Sequence, residues 1–162
     1  MKTFFFLIGA VLSLAGNAQV TKVSLQASGL TCSMCSNSIN KSLKTISFVE
    51  NVKANIQTSS FDITFKPNTK VDFDLLKKKV EDAGFTIANF VAAVNFDNIQ
   101  VKNNQPVKVG DKTFYIINAK DQALNGTRQV RLVDKGFVSN KEFKKITPAG
   151  TAGGNGVYNV TI

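Results

Sequence analysis

Two spacings of apolar residues alternate between Thr21 and Val94, and their order restricts the fold more than any other feature of the chain. From Thr21 to Ala27 apolar and polar residues alternate, with Val23, Leu25 and Ala27 on one face. A period of two marks a half-buried strand. Gly29 breaks the run, and residues 28–35 read as a loop leading into a helix. Over Ser36–Leu43 the apolar positions Ile39 and Leu43 recur four apart, as a helix requires. Alternation returns from Phe48 to Ile56, with Val52, Ala54 and Ile56 on one side. Thr58-Ser59-Ser60 makes a turn, and Phe61, Ile63 and Phe65 form a third strand pairing back as a hairpin. Pro67 ends it, because proline cannot donate to a sheet ladder. Asp72 and Asp74 suit the positive end of a second helix. Leu75, Leu76, the stem of Lys79, Val80 and Ala83 make its inner stripe. Gly84 is its C-cap, and Ile87–Val94 is a fourth, mostly apolar strand.

Strand, helix, strand, strand, helix, strand is the order of the ferredoxin-like βαββαβ unit, an α+β fold with two helices on one face of a four-stranded antiparallel sheet. The expected division of the chain is residues 1–18, 19–94 and 95–162. The first segment reads as a secretory signal: Lys2 gives a positive start, Phe4–Leu14 an apolar run, and Gly16-Asn17-Ala18 a small-residue cut site before Gln19. The run is shorter than the roughly 20 residues that span a bilayer. The mature chain is therefore expected to be exported, to the periplasm or beyond, with no stable membrane span.

Residues 95–162 read as a small all-β unit, a partly open barrel or sandwich. Gly110-Asp111 and Asn125-Gly126 are turn signals. Thr113–Asn118, Thr127–Val133, Phe137-Val138 and Val157–Ile162 are the expected strands, and residues 149–156 a Gly-rich loop. The segment carries ten Lys and Arg against five acids within a chain of net charge +9. That balance suits an acidic partner or a solvated surface. No dense Arg/Lys run is interleaved with aromatics, which argues against nucleic-acid binding.

The chemistry concentrates in Gly29-Leu30-Thr31-Cys32-Ser33-Met34-Cys35. Two cysteines three apart close too short a loop to staple a fold strongly, so a reactive or metal-binding pair is the better reading. At a helix N-terminus the dipole and free N–H groups favour thiolate, the form that binds metal. The chain has no His and only two Cys, which excludes Cys/His and four-Cys zinc sites within one chain. Soft sulfur ligands select Cu(I), and Hg(II) is as soft. Met34 is read as an adaptable core plug, with a thioether ligand as the other reading. A C-x-x-C at a helix start also fits a thiol–disulfide oxidoreductase, although no thioredoxin-like parallel core is apparent. A third reading is an exported interaction protein whose pair stays oxidised.

Residues 21–94 resemble the heavy-metal-associated domain, the module of copper chaperones, copper-pump N-termini and the periplasmic mercury-binding protein. The resemblance rests on the Gly29–Cys35 loop, the element order, and Glu81-Asp82-Ala83-Gly84-Phe85 before the last strand. It implies that Cys32 and Cys35 bind the ion and pass it by ligand exchange to a thiol-bearing acceptor such as a metal-transporting ATPase, with no enzymatic activity. It also implies that Phe85 lies beside the metal loop, where core packing is the alternative role, and that Thr31, Met34 and Phe85 surround the ligands. Leu30 replaces the Met usual at that position and is expected to fill the same core space.

Overall fold

Alternation and helical periodicity become eleven elements in the computed structural model, which describes residues 20–146 and 153–162. They are β1 (Val20–Ser28), α1 (Ser33–Lys44), β2 (Val49–Asn55), β3 (Ser60–Phe65), α2 (Phe73–Asp82) and β4 (Thr86–Val101), followed by β5 (Pro106–Val109), β6 (Lys112–Ile116), β7 (Gln122–Leu132), α3 (Asn140–Ile146) and β8 (Val157–Thr161). The expected signal segment, 1–18, lies outside the described residues. Among those described, no helix is long and apolar enough to cross a membrane.

The first six elements build the expected βαββαβ unit. Its strands lie in the order β2-β3-β1-β4, each pair antiparallel. Val23 and Leu25 of β1, Phe61 and Ile63 of β3, and Phe90 and Ala92 of β4 are fully buried under Ile39 and Leu43 of α1 and Leu76 and Val80 of α2. Asp72 caps α2, its carboxylate accepting from the Leu75 N–H at 3.0 Å. The buried stripe of α2 begins earlier than expected, at Phe73. The helices are tied together where the Ser42 hydroxyl donates to the Lys79 carbonyl at 2.9 Å. β2 is shorter than its sequence pattern: Ala54 and Ile56 are exposed, because the alternation runs on past the buried part of this edge strand.

The second half departs from expectation. It makes no separate barrel or sandwich; its strands extend the same sheet, giving eight strands in the order β2-β3-β1-β4-β7-β8-β6-β5. The join is β4, which is sixteen residues long and runs straight through positions 94 and 95. One edge of β4 pairs with β1 from Val94 back to Thr86, and the other with β7 from Val91 to Val101. Gly110-Asp111 is the expected turn, between β5 and β6. Asn125-Gly126 is not a turn. It lies inside β7, where the register against β4 shifts between Phe96 and Ile99, and Gly126 takes a φ of +72° opposite Phe96. The dipeptide faces a bulge whose extra residue lies in β4, between Phe96 and Ile99, and Gly126 supplies the positive φ on the β7 side of it. Phe137-Val138 is not a strand, yet Phe137 is buried.

α3 was not foreseen, although Ser139-x-x-Glu142 carries its start signal: the Glu142 N–H donates to the Ser139 hydroxyl at 3.3 Å. It covers a small apolar cluster of Ile117, Val133 and Val138 with Phe143 and Ile146. Glu142 pairs with Arg131 of β7, and that bond holds the Glu142 carboxyl below the usual carboxylate range. Of the expected Gly-rich loop, residues 149–152 lie outside the described residues.

One aromatic cluster spans both halves. Phe73 of α2 meets Phe90 of β4 at 5.2 Å and Tyr158 of β8 at 5.1 Å between ring centroids, and Phe137 meets Phe90 at 5.1 Å. The Tyr158 hydroxyl donates to Asp74 at 3.0 Å. Phe73→Ala is therefore expected to cost roughly 3–5 kcal/mol. Urea unfolding followed separately by a first-half and a second-half probe should show one transition in the wild type, shifted as a unit in the variant.

Candidate metal site

The Cys loop sits where β1 hands over to α1. Ser28, the last residue of β1, is registered against Thr86 of β4, so the loop lies at the end of the sheet from which α2 returns. Gly29 takes a φ of +78°, which turns the chain out of the strand without a Cβ in the way. The hairpin turn beside it braces the loop. The Ala27 N–H donates to the Ser59 carbonyl at 3.0 Å, and the Gln26 amide donates to the Thr58 carbonyl at 3.0 Å. The sequence signals the turn itself, but no local pattern links it to the loop, because the contacting residues are 32 apart in the chain.

α1 begins at Ser33, three residues before the sequence pattern places it, and Cys32 is its N-cap. Cys32 is extended, with φ −139° and ψ 151°. Its carbonyl accepts from the Ser36 N–H at 3.2 Å, and its sulfur accepts from the Cys35 N–H at 3.1 Å. A sulfur thus takes the place that Ser, Thr, Asp or Asn oxygen usually holds at a helix start. Cys35 is in the first turn, half-buried, while Cys32 is exposed. Their Cα atoms are 5.3 Å apart and the two sulfurs are joined as a disulfide.

Two expectations for the surroundings differ from the structure or are refined by it. Met34 is not a core plug: it is 81% exposed. The buried stripe of α1 is Ser36, Ile39 and Leu43. Met34 precedes Ser36 by two residues, about 200° round a helix, which puts it on the exposed stripe with Asn37, Ser38 and Lys41. Starting the helix at Ser33 would have revealed this from the sequence. Leu30 does pack against the main core, as expected of it, and Phe85 is half-buried against the same core. Phe85 follows α2 directly, its N–H donating to the Val80 carbonyl at 3.1 Å. Thr31 is exposed, next to Cys32.

The donor set decides which ions suit the site. Among the described residues no group of three or more His, Cys, Asp or Glu could hold a metal, and the first turn of α1 carries no acid. Two sulfurs at an exposed helix start fit a soft ion of low coordination number and do not fit a hard or octahedral one. In the disulfide form neither sulfur is a thiolate, so metal binding needs the pair reduced.

The heavy-metal-associated domain family matches residues 24–86, the span that holds the cysteine loop and both helices. The likeness to that family is confined to this span. It is 32% identical over 72 residues, 44% of its length, to a probable copper-exporting P-type ATPase of Archaeoglobus fulgidus. It is 33% identical over 64 residues, 40% of its length, to the copper-transporting ATPase RAN1 of Arabidopsis thaliana. The match spans only 9% and 6% of those two transporters. Among solved structures, the yeast copper transporter domain Ccc2a, studied in apo and Cu(I)-loaded states, is 31% identical. That match covers 41% of this chain and 90% of the domain, with a TM-score of 0.38.

A four-residue disulfide loop removes little chain entropy. Its reduction is expected to lower stability by no more than about 2 kcal/mol, with the circular dichroism of the native sheet retained; chemical unfolding with and without reductant measures this. Met34→Ser should change stability by less than ~0.5 kcal/mol, as for other exposed positions, by the same measurement.

Proposed function

We propose that this chain is an exported Cu(I)-binding protein. The reduced Cys32–Cys35 pair holds the ion, which then passes to a thiol-bearing acceptor or stays sequestered. The observation that carries the reading is the pair itself: two sulfurs at an exposed helix N-terminus, with no group of three His, Cys, Asp or Glu among the described residues to add harder ligands. The family match and the copper transporters among its relatives support copper as the cargo. The basic, apolar, small-residue order of residues 1–18 supports export.

Loading starts with reduction. An external dithiol donates two electrons and two protons and closes to its own disulfide, while the Cys32–Cys35 S–S bond breaks and both cysteines become thiols. Cu(I) then displaces those protons and bonds both sulfurs. A two-coordinate ion leaves positions open, so an incoming thiolate from an acceptor can bond before Cys32 or Cys35 leaves. A metal-transporting ATPase with a similar domain is the acceptor of matching chemistry. Hg(II) prefers the same two-sulfur geometry and is the alternative cargo.

Anaerobic titration of the reduced protein with Cu(I) against a chromogenic Cu(I) chelator is expected to show tight uptake, with Hg(II) and Zn(II) run in parallel. Cys32→Ser/Cys35→Ser should abolish it. Equal uptake by the double variant would overturn the proposal.

The disulfide gives one observation in favour of a second reading, a thiol–disulfide oxidoreductase. Insulin reduction separates the two: turnover supports the redox enzyme, and its absence alongside Cu(I) uptake supports the carrier.

A further inference from the structure

We infer that Met34 supplies a third sulfur to the soft ion, so that the cargo is held by two thiolates and one thioether. The inference rests on the reading that Cys32 and Cys35 are the metal-binding pair and adds a ligand to it.

Four observations converge on this residue. Met34 lies between the two cysteines in sequence and next to Cys35 in the first turn of α1. It is 81% exposed, so its thioether is not engaged in the core. The chain contains two Met, and the other is Met1, so Met34 is the only thioether among the described residues. The first turn of α1 holds no acid, and among the described residues no cluster of three His, Cys, Asp or Glu competes for the ion.

Met34 is one residue from Cys35 and two from Cys32 in the chain, within the reach of a long, unbranched side chain. Cα–Cβ bonds tilt toward the helix N-terminus, and Met in helices adopts rotamers that carry the side chain back over the preceding turn. For Met34 the positions three and four back are Thr31 and Leu30, the two residues that lead into Cys32. Three rotatable bonds let the thioether move toward a bound ion without disturbing the backbone. A core Met would have to leave its packing to do so; this one would not.

The chemistry also discriminates among ions. A thioether is soft, neutral and a weak proton acceptor, so it suits Cu(I) and Ag(I) and adds little for Zn(II). Because the bond adds no charge and is weaker than a thiolate bond, it is the first to yield to an incoming thiolate. The third ligand therefore raises retention without blocking transfer.

The test uses the full reduced chain loaded anaerobically with Cu(I), the reductant having been removed, and three forms: wild type, Met34→Leu and Cys32→Ser/Cys35→Ser. Leu keeps the apolar bulk and removes the sulfur. X-ray absorption at the copper edge should find three sulfur neighbours in the wild type and two in Met34→Leu. Competition with a chelator should show Cu(I) and Ag(I) held about tenfold less tightly by Met34→Leu, with Zn(II) affinity unchanged. The 13C-labelled methyl resonance of Met34 should shift on loading the wild type. Two sulfur neighbours and equal Cu(I) affinity in wild type and Met34→Leu would overturn the third ligand while leaving the cysteine pair standing. Copper retained by the double cysteine variant, or no copper taken up by any form, would overturn both.

Discussion

Strand β4 is paired along both edges, and that double pairing is what the rest of the molecule depends on. Its first part closes the βαββαβ unit by pairing with β1, the strand that delivers the cysteine loop. Its later part carries β7, and through it the remaining strands. A strand at this position in a free-standing four-stranded unit would be an edge, with unpaired N–H and C=O groups and a liability to pair with other chains. Here the second half occupies that edge. The metal loop at the far end of β1 is thus mounted on an eight-stranded sheet with a shared aromatic core, and not on a small domain tethered to another.

The same loop supports two chemistries that exclude each other. Cys32 as an N-cap directs its sulfur at the Cys35 N–H, which brings the two sulfurs within bonding distance on an exposed edge of the fold. Oxidised, the pair is a disulfide; reduced, the same closeness presents two thiolates to one ion. Neither state asks the core to rearrange, because the buried stripe of α1 starts at Ser36, after both cysteines. The proposed carrier function therefore depends on the redox state of two atoms and little on the rest of the structure.

Much of the first half was legible in the sequence because its elements are amphipathic and their order is that of one compact unit. Val23, Leu25, Phe61, Ile63, Ile39 and Leu43 announce their faces by spacing alone. The cysteine loop was legible for a different reason, since the chain has no His and no third Cys to compete with it. What was not legible depended on which free sheet edge a later strand would join, and that is not written in the pattern of either strand. No local pattern in residues 86–101 says that β4 will accept a strand from residues 122–132 on its free edge. Asn125-Gly126 carries a true signal for unusual backbone, but a bulge and a turn ask for the same residues. Phe137 looks like a strand residue because it is apolar and buried, yet a loop delivers it to the core. Met34 reads as a core residue only while α1 is started at Ser36, its first buried position; a start at Ser33 puts Met34 on the exposed stripe.

The account stands on reduced sulfurs holding a thiophilic ion in the protein as the cell makes it. Purifying the full chain anaerobically from its own compartment, and measuring metal by elemental mass spectrometry beside thiol content by alkylation, tests this directly. Copper stoichiometric with protein is the predicted result. A metal-free protein whose cysteines are wholly disulfide-bonded, and which still takes up no copper after reduction, would contradict it.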